Sequence, residues 1–164
     1  LNVIKGHSSC AIELFRDTET LDAVFTPVGG GGLISGIALG FKNFSPDTKI
    51  YGGEPANADD AYQSLKAGKI IPVSNPDTIA DGLRTSLGDI TYPVIKQYVS
   101  EIITVTENEI VNAMRLVWER MKIIIEPSSA VAFAALLKNI SGLKYKKIGI
   151  IISGGNVDLD KLPF

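Results

Sequence analysis

The sequence predicts an α/β fold: a mainly parallel twisted sheet with helices on both faces. Two observations predict it. Short apolar runs alternate along the chain with longer helical stretches, which is the pattern of repeated βαβ units. The runs are also apolar throughout rather than alternating, as strands buried on both faces are. The chain has 164 residues, which is one domain's worth. No Pro-, Gly- or Ser-rich linker divides it, so 1–164 is read as a single domain.

The elements follow in order. Ala11, Ile12, Leu14 and Phe15 suggest a helix over residues 8–16. Residues 22–28 (DAVFTPV) form a short run rich in β-formers that stops at four glycines, and it reads as a buried strand. Residues 33–44 are small and apolar, a helix packed on a sheet, and Ser45-Pro46-Asp47 turns the chain. A second strand covers 49–53 and ends at Glu54-Pro55. Asn57 is placed to cap a helix that runs to Ala67 and stops at Gly68.

Residues 70–86 carry two prolines and Asp-led turns, so they form a long loop, and such loops inside compact domains are often functional. A short helix over 92–100 precedes a strand at 102–105. Thr106 and Glu109 make a capping box for a helix with Ile110, Met114, Val117 and Met121 along one face. The helix after Pro127 is almost entirely small and apolar over 130–137, hence buried. The last strand covers 147–152 and ends at Ser153-Gly154-Gly155-Asn156.

Composition narrows the function classes. The net charge is -2 and no basic tract stands out, which argues against a nucleic-acid partner. The longest apolar runs fall far short of the ~20 residues that cross a bilayer, so no membrane partner is expected. A single cysteine, Cys10, excludes an internal disulfide framework and points to a reducing, cytoplasmic setting. The chain starts at Leu1 and runs straight into ordered-looking sequence, like a piece of something longer.

The strongest chemical signal is Gly29-Gly30-Gly31-Gly32 between a strand and a helix. Without Cβ atoms the backbone turns sharply and approaches a ligand closely. Several N–H groups then gather at a helix N-terminus, which binds phosphate without Lys or Arg. The plainer alternative is a tight turn before a closely packed helix. A dinucleotide fingerprint fits in part: Gly30 and Gly32 match its first half, Gly36 falls one position late, and Glu54 stands where a ribose carboxylate would. A nicotinamide-dependent oxidoreductase is therefore a rival. A Walker loop is excluded, because no G-K-[ST] follows.

Ser153-Gly154-Gly155-Asn156 forms a second glycine-bearing turn after a buried strand, either a plain turn or a second wall of one ligand site. Glu54, Asp59 and Asp60 cluster around a helix start. Glu54 and Asp60 with a carbonyl between them suit Mg²⁺ or Ca²⁺. The alternative is acidic residues complementing the helix dipole. Glu126 follows three isoleucines, either as a desolvated site carboxylate or as a helix-entry residue. His7 and Cys10 lack companion ligands and read as structural, and Trp118 with Met114 and Met121 as core.

Taken together, these motifs resemble the serine racemase and serine/threonine dehydratase family of pyridoxal-phosphate enzymes, of the tryptophan-synthase-β-like fold type (fold type II). The matching segments are PVGGGGLISG (27–36), YGGEPANADDAYQS (51–64), TIADGLRTS (78–86), VWERMKIIIEPSSAV (117–131) and IISGGNVD (151–158). Gly6-His7-Ser8-Ser9 departs from the family's usual G-Q-G-T.

The resemblance implies roles for particular residues. Gly29, Gly30, Gly31 and Gly32 would hold the phosphate of pyridoxal 5'-phosphate, and Gly82 would line the cofactor. Ser153 would hydrogen-bond the pyridine nitrogen, and Glu126 would sit near ring and substrate as the catalytic candidate. Glu54, Asp60 and the Ala58 carbonyl would bind Mg²⁺, or Ca²⁺ or Mn²⁺. Asn156 stands where the racemases have a nucleotide-contacting residue, which implies ATP as an effector.

The family's Schiff-base lysine lies in an S-x-K-x-R-G-like motif, and no lysine here has that context. The chain is therefore expected to be the C-terminal portion of the cofactor-binding large domain, inactive until joined by its N-terminal half. The implied activity is α-proton abstraction from serine or threonine. Loss of the β-hydroxyl then gives an oxo acid and ammonia, or reprotonation gives the other enantiomer. A homodimer is expected. The non-enzymatic rival is a module that holds a phosphorylated metabolite without chemistry.

Overall fold

The computed structural model describes residues 1–18, 20–142 and 144–164. Its elements are α1 (Asn2–Thr18), β1 (Ala23–Pro27), α2 (Gly32–Phe44), β2 (Lys49–Pro55), α3 (Asp60–Ala67), α4 (Thr91–Tyr98), β3 (Glu101–Val105), α5 (Glu107–Met121), α6 (Pro127–Asn139) and β4 (Ile148–Ile150). Among the described residues the strands form one parallel sheet, ordered β3-β2-β1-β4.

Helices cover both faces, as the sequence predicts. Val24, Ile50 and Ile102 share a core with Ile34, Ile37 and Phe41 of α2 and with Ile95 of α4. Their strand neighbours Phe25, Tyr51 and Ile103 share the opposite core with Ile110 and Met114 of α5 and Val131 of α6. Successive residues of each strand thus serve different cores, and that is why the strands are apolar throughout.

The chain path positions the site. From β1 it moves outward through β2 to β3, then returns so that β4 pairs with the other side of β1. Phe25 stands opposite Ile150 in that pairing. Open α/β sheets bind ligands in the crevice beyond the carboxyl ends where the strand order reverses.

Three details differ from the sequence expectation. First, α1 begins at Asn2, not at residue 8. It lies along a stripe of small residues on α2, with Val3 over Gly32, His7 over Gly36 and Ala11 over Gly40. A Cβ on Gly36 would stand 2.7 Å from the His7 Cβ. Gly36 therefore serves helix packing, not a dinucleotide fingerprint. Packing, not propensity, makes the first turns of α1 helical, since Gly6, His7, Ser8 and Ser9 are weak helix formers.

Second, Asn57 is not a helix cap. Residues 56–58 form a 3-10 turn, and the Asn57 side chain donates to the Asp77 carbonyl at 2.9 Å. The first free amides of α3 are served from β2 instead. Glu54 accepts from Ala61 N–H at 2.8 Å and from Tyr62 N–H at 2.9 Å. Third, Met121 is 61% exposed, whereas Ile110, Met114 and Val117 are buried as expected. The capping box of α5 is present: Thr106 Oγ1 accepts from Glu109 N–H, and Glu109 Oε2 accepts from Thr106 N–H.

Candidate functional site

The site begins where β1 hands over to α2. Gly31 has φ +80°, a left-handed conformation that glycine adopts without strain. Among the described residues, none accepts a hydrogen bond from the N–H groups of Gly29, Gly30, Gly31, Gly32 or Leu33. These free donors at a helix N-terminus lie in the wall of a cavity of about 250 Å³.

The long loop between α3 and α4, with the first residue of α4, supports that wall. Thr91 Oγ1 donates to the Gly30 carbonyl at 2.9 Å. A Cβ on Gly29 would stand 3.1 Å from Thr85 Oγ1 and 3.2 Å from the Gly82 carbonyl. Gly82 N–H in turn donates to Ser128 Oγ at 3.1 Å, which fastens the loop to the first turn of α6.

The opposite wall comes from the end of β4 and the start of α6. Ser153 is exposed toward the cavity. Behind it, Ser129 is fully buried and accepts from Gly154 N–H at 2.7 Å. The Ser129 and Ser153 hydroxyl oxygens are 3.1 Å apart. Glu126 occupies the N-cap position of α6 without capping it through its side chain. Its carboxylate accepts from Asn156 N–H at 2.8 Å and lies against Gly154, where a Cβ would come within 3.0 Å of both oxygens.

The cavity therefore gathers Gly29, Gly30, Gly31, Gly32, Gly82, Glu126 and Ser153, all singled out from the sequence. It also includes His7, which the sequence suggested was merely structural. Asn156 stands behind Glu126 rather than on the cavity wall. Cys10 is half-buried and burial pushes its thiol up, which leaves it a poor nucleophile. Ser128, Ser129, Thr85 and Thr91 escaped the sequence reading. Ser128 and Ser129 stood out only as the residues after Glu126-Pro127, and Thr85 and Thr91 only as neighbours of Gly82 and Gly88.

Glu54 and Asp60 form a second, separate cluster. Both are buried, at 0% and 2% exposure. Burial pushes the Glu54 carboxyl up to about 8 and that of Asp60 up to about 6, and each is further raised by a neighbouring acid. Asp60 Oδ2 accepts from Leu87 N–H at 2.8 Å, while Oδ1 is buried with no partner among the described residues. Paired buried acids with an orphaned oxygen fit a hard cation. Among the described residues no cluster of three or more His, Cys, Asp or Glu side chains is present, so carbonyl or water ligands would complete the set. Glu54 is fully buried and does not line the glycine cavity, so it is not placed to hold a ribose there. Together with the packing role of Gly36, this removes the nicotinamide reading.

The profile of the pyridoxal-phosphate dependent enzymes matches residues 1–154. The chain belongs to this family. A serine racemase from Dictyostelium discoideum is 52% identical over 166 residues, covering 99% of this chain and 51% of that protein. A beta-hydroxyaspartate dehydratase from Paracoccus denitrificans is 50% identical over 162 residues, with the same coverage. The structure of maize serine racemase superposes with TM-score 0.92 at 44% identity, covering 96% of this chain and 49% of that one. This pyridoxal-phosphate family member thus spans about half the length of the curated relatives it matches. Among its described residues no helix is long and apolar enough to cross a membrane.

Proposed function

We propose that this segment is the C-terminal portion of a cytoplasmic, homodimeric pyridoxal-phosphate enzyme that dehydrates or racemises a β-hydroxy amino acid. Serine and threonine are the first substrates to test, and 3-hydroxyaspartate is the next. The observation that carries the reading is the row of unpartnered amides at the start of α2 facing a hydroxyl-bearing wall.

The residues present fit the cofactor. The free N–H groups from Gly29 to Leu33 would bind its phosphate with the α2 dipole behind them. The bound cofactor supplies an electron sink for charge left by the departing α-proton. Ser153 would hydrogen-bond the ring nitrogen without lending it a full charge, whereas an aspartate would hold it protonated. Gly82 would border the ring, and the first turn of α6 would close the site beneath it. Glu126, whose carboxylate accepts from Asn156 N–H and lies against Gly154, would present a fixed carboxylate to the substrate. The residue that takes the α-proton is expected in the N-terminal half. Glu54, Asp60 and the Ala58 carbonyl would hold Mg²⁺, and the exposed Asn156 side chain is the candidate contact for a nucleotide effector such as ATP.

The test uses the full-length protein with pyridoxal phosphate. L-serine, L-threonine and 3-hydroxyaspartate are supplied in turn, and oxo acid, ammonia and the opposite enantiomer are measured. Turnover of at least one substrate is expected, with Ser153→Asp abolishing most of it. Absence of cofactor binding overturns the reading.

A further inference from the structure

Three polar contacts converge on Ser129, at 0% exposure in the first turn of α6. Gly154 N–H donates to its hydroxyl oxygen at 2.7 Å. The Gly154 carbonyl lies 2.8 Å away, and Ser153 Oγ lies 3.1 Å away. A hydroxyl carries one proton and two lone pairs. One lone pair is taken by Gly154 N–H, so the single proton has two acceptors competing for it.

The two choices have opposite consequences at the cavity. With the Ser129 proton on the Gly154 carbonyl, Ser129 offers Ser153 only a lone pair, which draws the Ser153 proton away from the cavity. With the Ser129 proton on Ser153, the Ser153 proton is released toward the cavity. The first choice has the shorter contact, 2.8 against 3.1 Å, so the second is taken up when an acceptor in the cavity draws the Ser153 proton, and the Gly154 carbonyl then keeps Glu126 N–H at 3.2 Å as its donor.

We propose that Ser129 is a positioning residue that makes Ser153 a hydrogen-bond donor, through the chain Gly154 N–H to Ser129 to Ser153 to an acceptor nitrogen in the cavity. This rests on the reading of Ser153 as the partner of the ring nitrogen. Each hydroxyl in such a chain polarises the next, which strengthens the last donor. The arrangement uses no charged group, and the carboxylate lining the cavity, Glu126, is engaged with Asn156 N–H. The chain therefore selects an uncharged heteroaromatic nitrogen over a protonated one.

The test compares pyridoxamine 5'-phosphate with its 1-deaza analogue, in which C–H replaces the ring nitrogen, on the full-length protein. Binding is read by fluorescence quenching, so no turnover is needed. Wild type should prefer the nitrogen-bearing probe, and Ser129→Ala should reduce that preference by about five-fold, the worth of one neutral hydrogen bond. Ser129→Thr, which keeps the hydroxyl, should retain it. A structural role alone would weaken both probes equally and leave their ratio unchanged, and that result overturns the proposal. If wild type binds both probes equally, Ser153 is not the ring partner, and the proposal falls with that reading. A ¹⁵N spectrum of ring-labelled cofactor on wild type gives a second check. A hydrogen-bonded neutral nitrogen is expected, and a pyridinium signal overturns the proposal.

Discussion

Asp60 Oδ2 accepts the backbone N–H of Leu87 at 2.8 Å, and Leu87 packs where a side chain on Gly31 would stand. The acidic cluster behind α3 is thereby joined to the glycine turn by one amide and one side chain. Removing the carboxylate with Asp60→Ala leaves the Leu87 amide unpaired, at a cost of about 1–3 kcal/mol. Asp60→Asn keeps an acceptor and should preserve most of that stability while losing cation binding. Thermal melts of the two variants, with and without Mg²⁺, check this pair of outcomes.

The contribution of Glu54 and Asp60 to stability should fall as pH rises. The folded-state pKa values of Asp60 and Glu54 lie above their ordinary values of 3.8 and 4.5, so the folded chain holds protons that the unfolded chain releases. The contribution is fully present below pH 3.8 and is lost as pH rises through about 6 for Asp60 and about 8 for Glu54. Across that window each titrating group removes about 1.4 kcal/mol per pH unit. A bound divalent cation reverses the sign by favouring the ionised pair. Chelation should therefore lower the melting temperature more at pH 8 than at pH 5.5, and equal effects at both would remove the cation from this site.

Gly30 and Gly31 should separate cradle from fold. Gly31→Ala places a side chain at φ +80° and against Ile95, Leu87 and Thr91, so it should cost upwards of about 1–2 kcal/mol. Loss of cofactor in that variant reports strain. A Cβ on Gly30 would meet its nearest atoms at 3.6 Å, so Gly30→Ala should fold normally. Weaker retention of pyridoxal phosphate by Gly30→Ala with an unchanged melt is the expected signature of a phosphate cradle.

Gly40→Ala should loosen α1. The new methyl collides with the Ala11 Cβ, and overpacking of this kind costs about 1–3 kcal/mol. Amide exchange should accelerate through residues 2–18 first, since α1 packs chiefly on α2.

Much of this was legible in the sequence because the fold repeats one local rule. Continuous apolar runs ending at glycines placed β1, α2 and β4, and Thr106 with Glu109 announced the start of α5. What was hidden depends on partners distant in sequence. Gly36 looked like a fragment of a nucleotide motif because nothing local shows α1 lying across it. Asn57 has the right chemistry for a cap, but the free amides of α3 are met by a strand carboxylate seven residues upstream of Ala61. Ser128 and Ser129 look like ordinary first-turn residues, and only the return of β4 beside β1 gives them work at the site.

The two walls of the crevice differ in how firmly they are anchored. The glycine turn leaves a strand paired on both sides, whereas Ser153 follows a strand of three residues that, among the described residues, pairs on one side. A ligand that touches both walls acts as a clasp across the sheet's reversal point. Its arrival should be recorded less at the glycines than in the slowed solvent exchange of the Ile148–Ile150 amides.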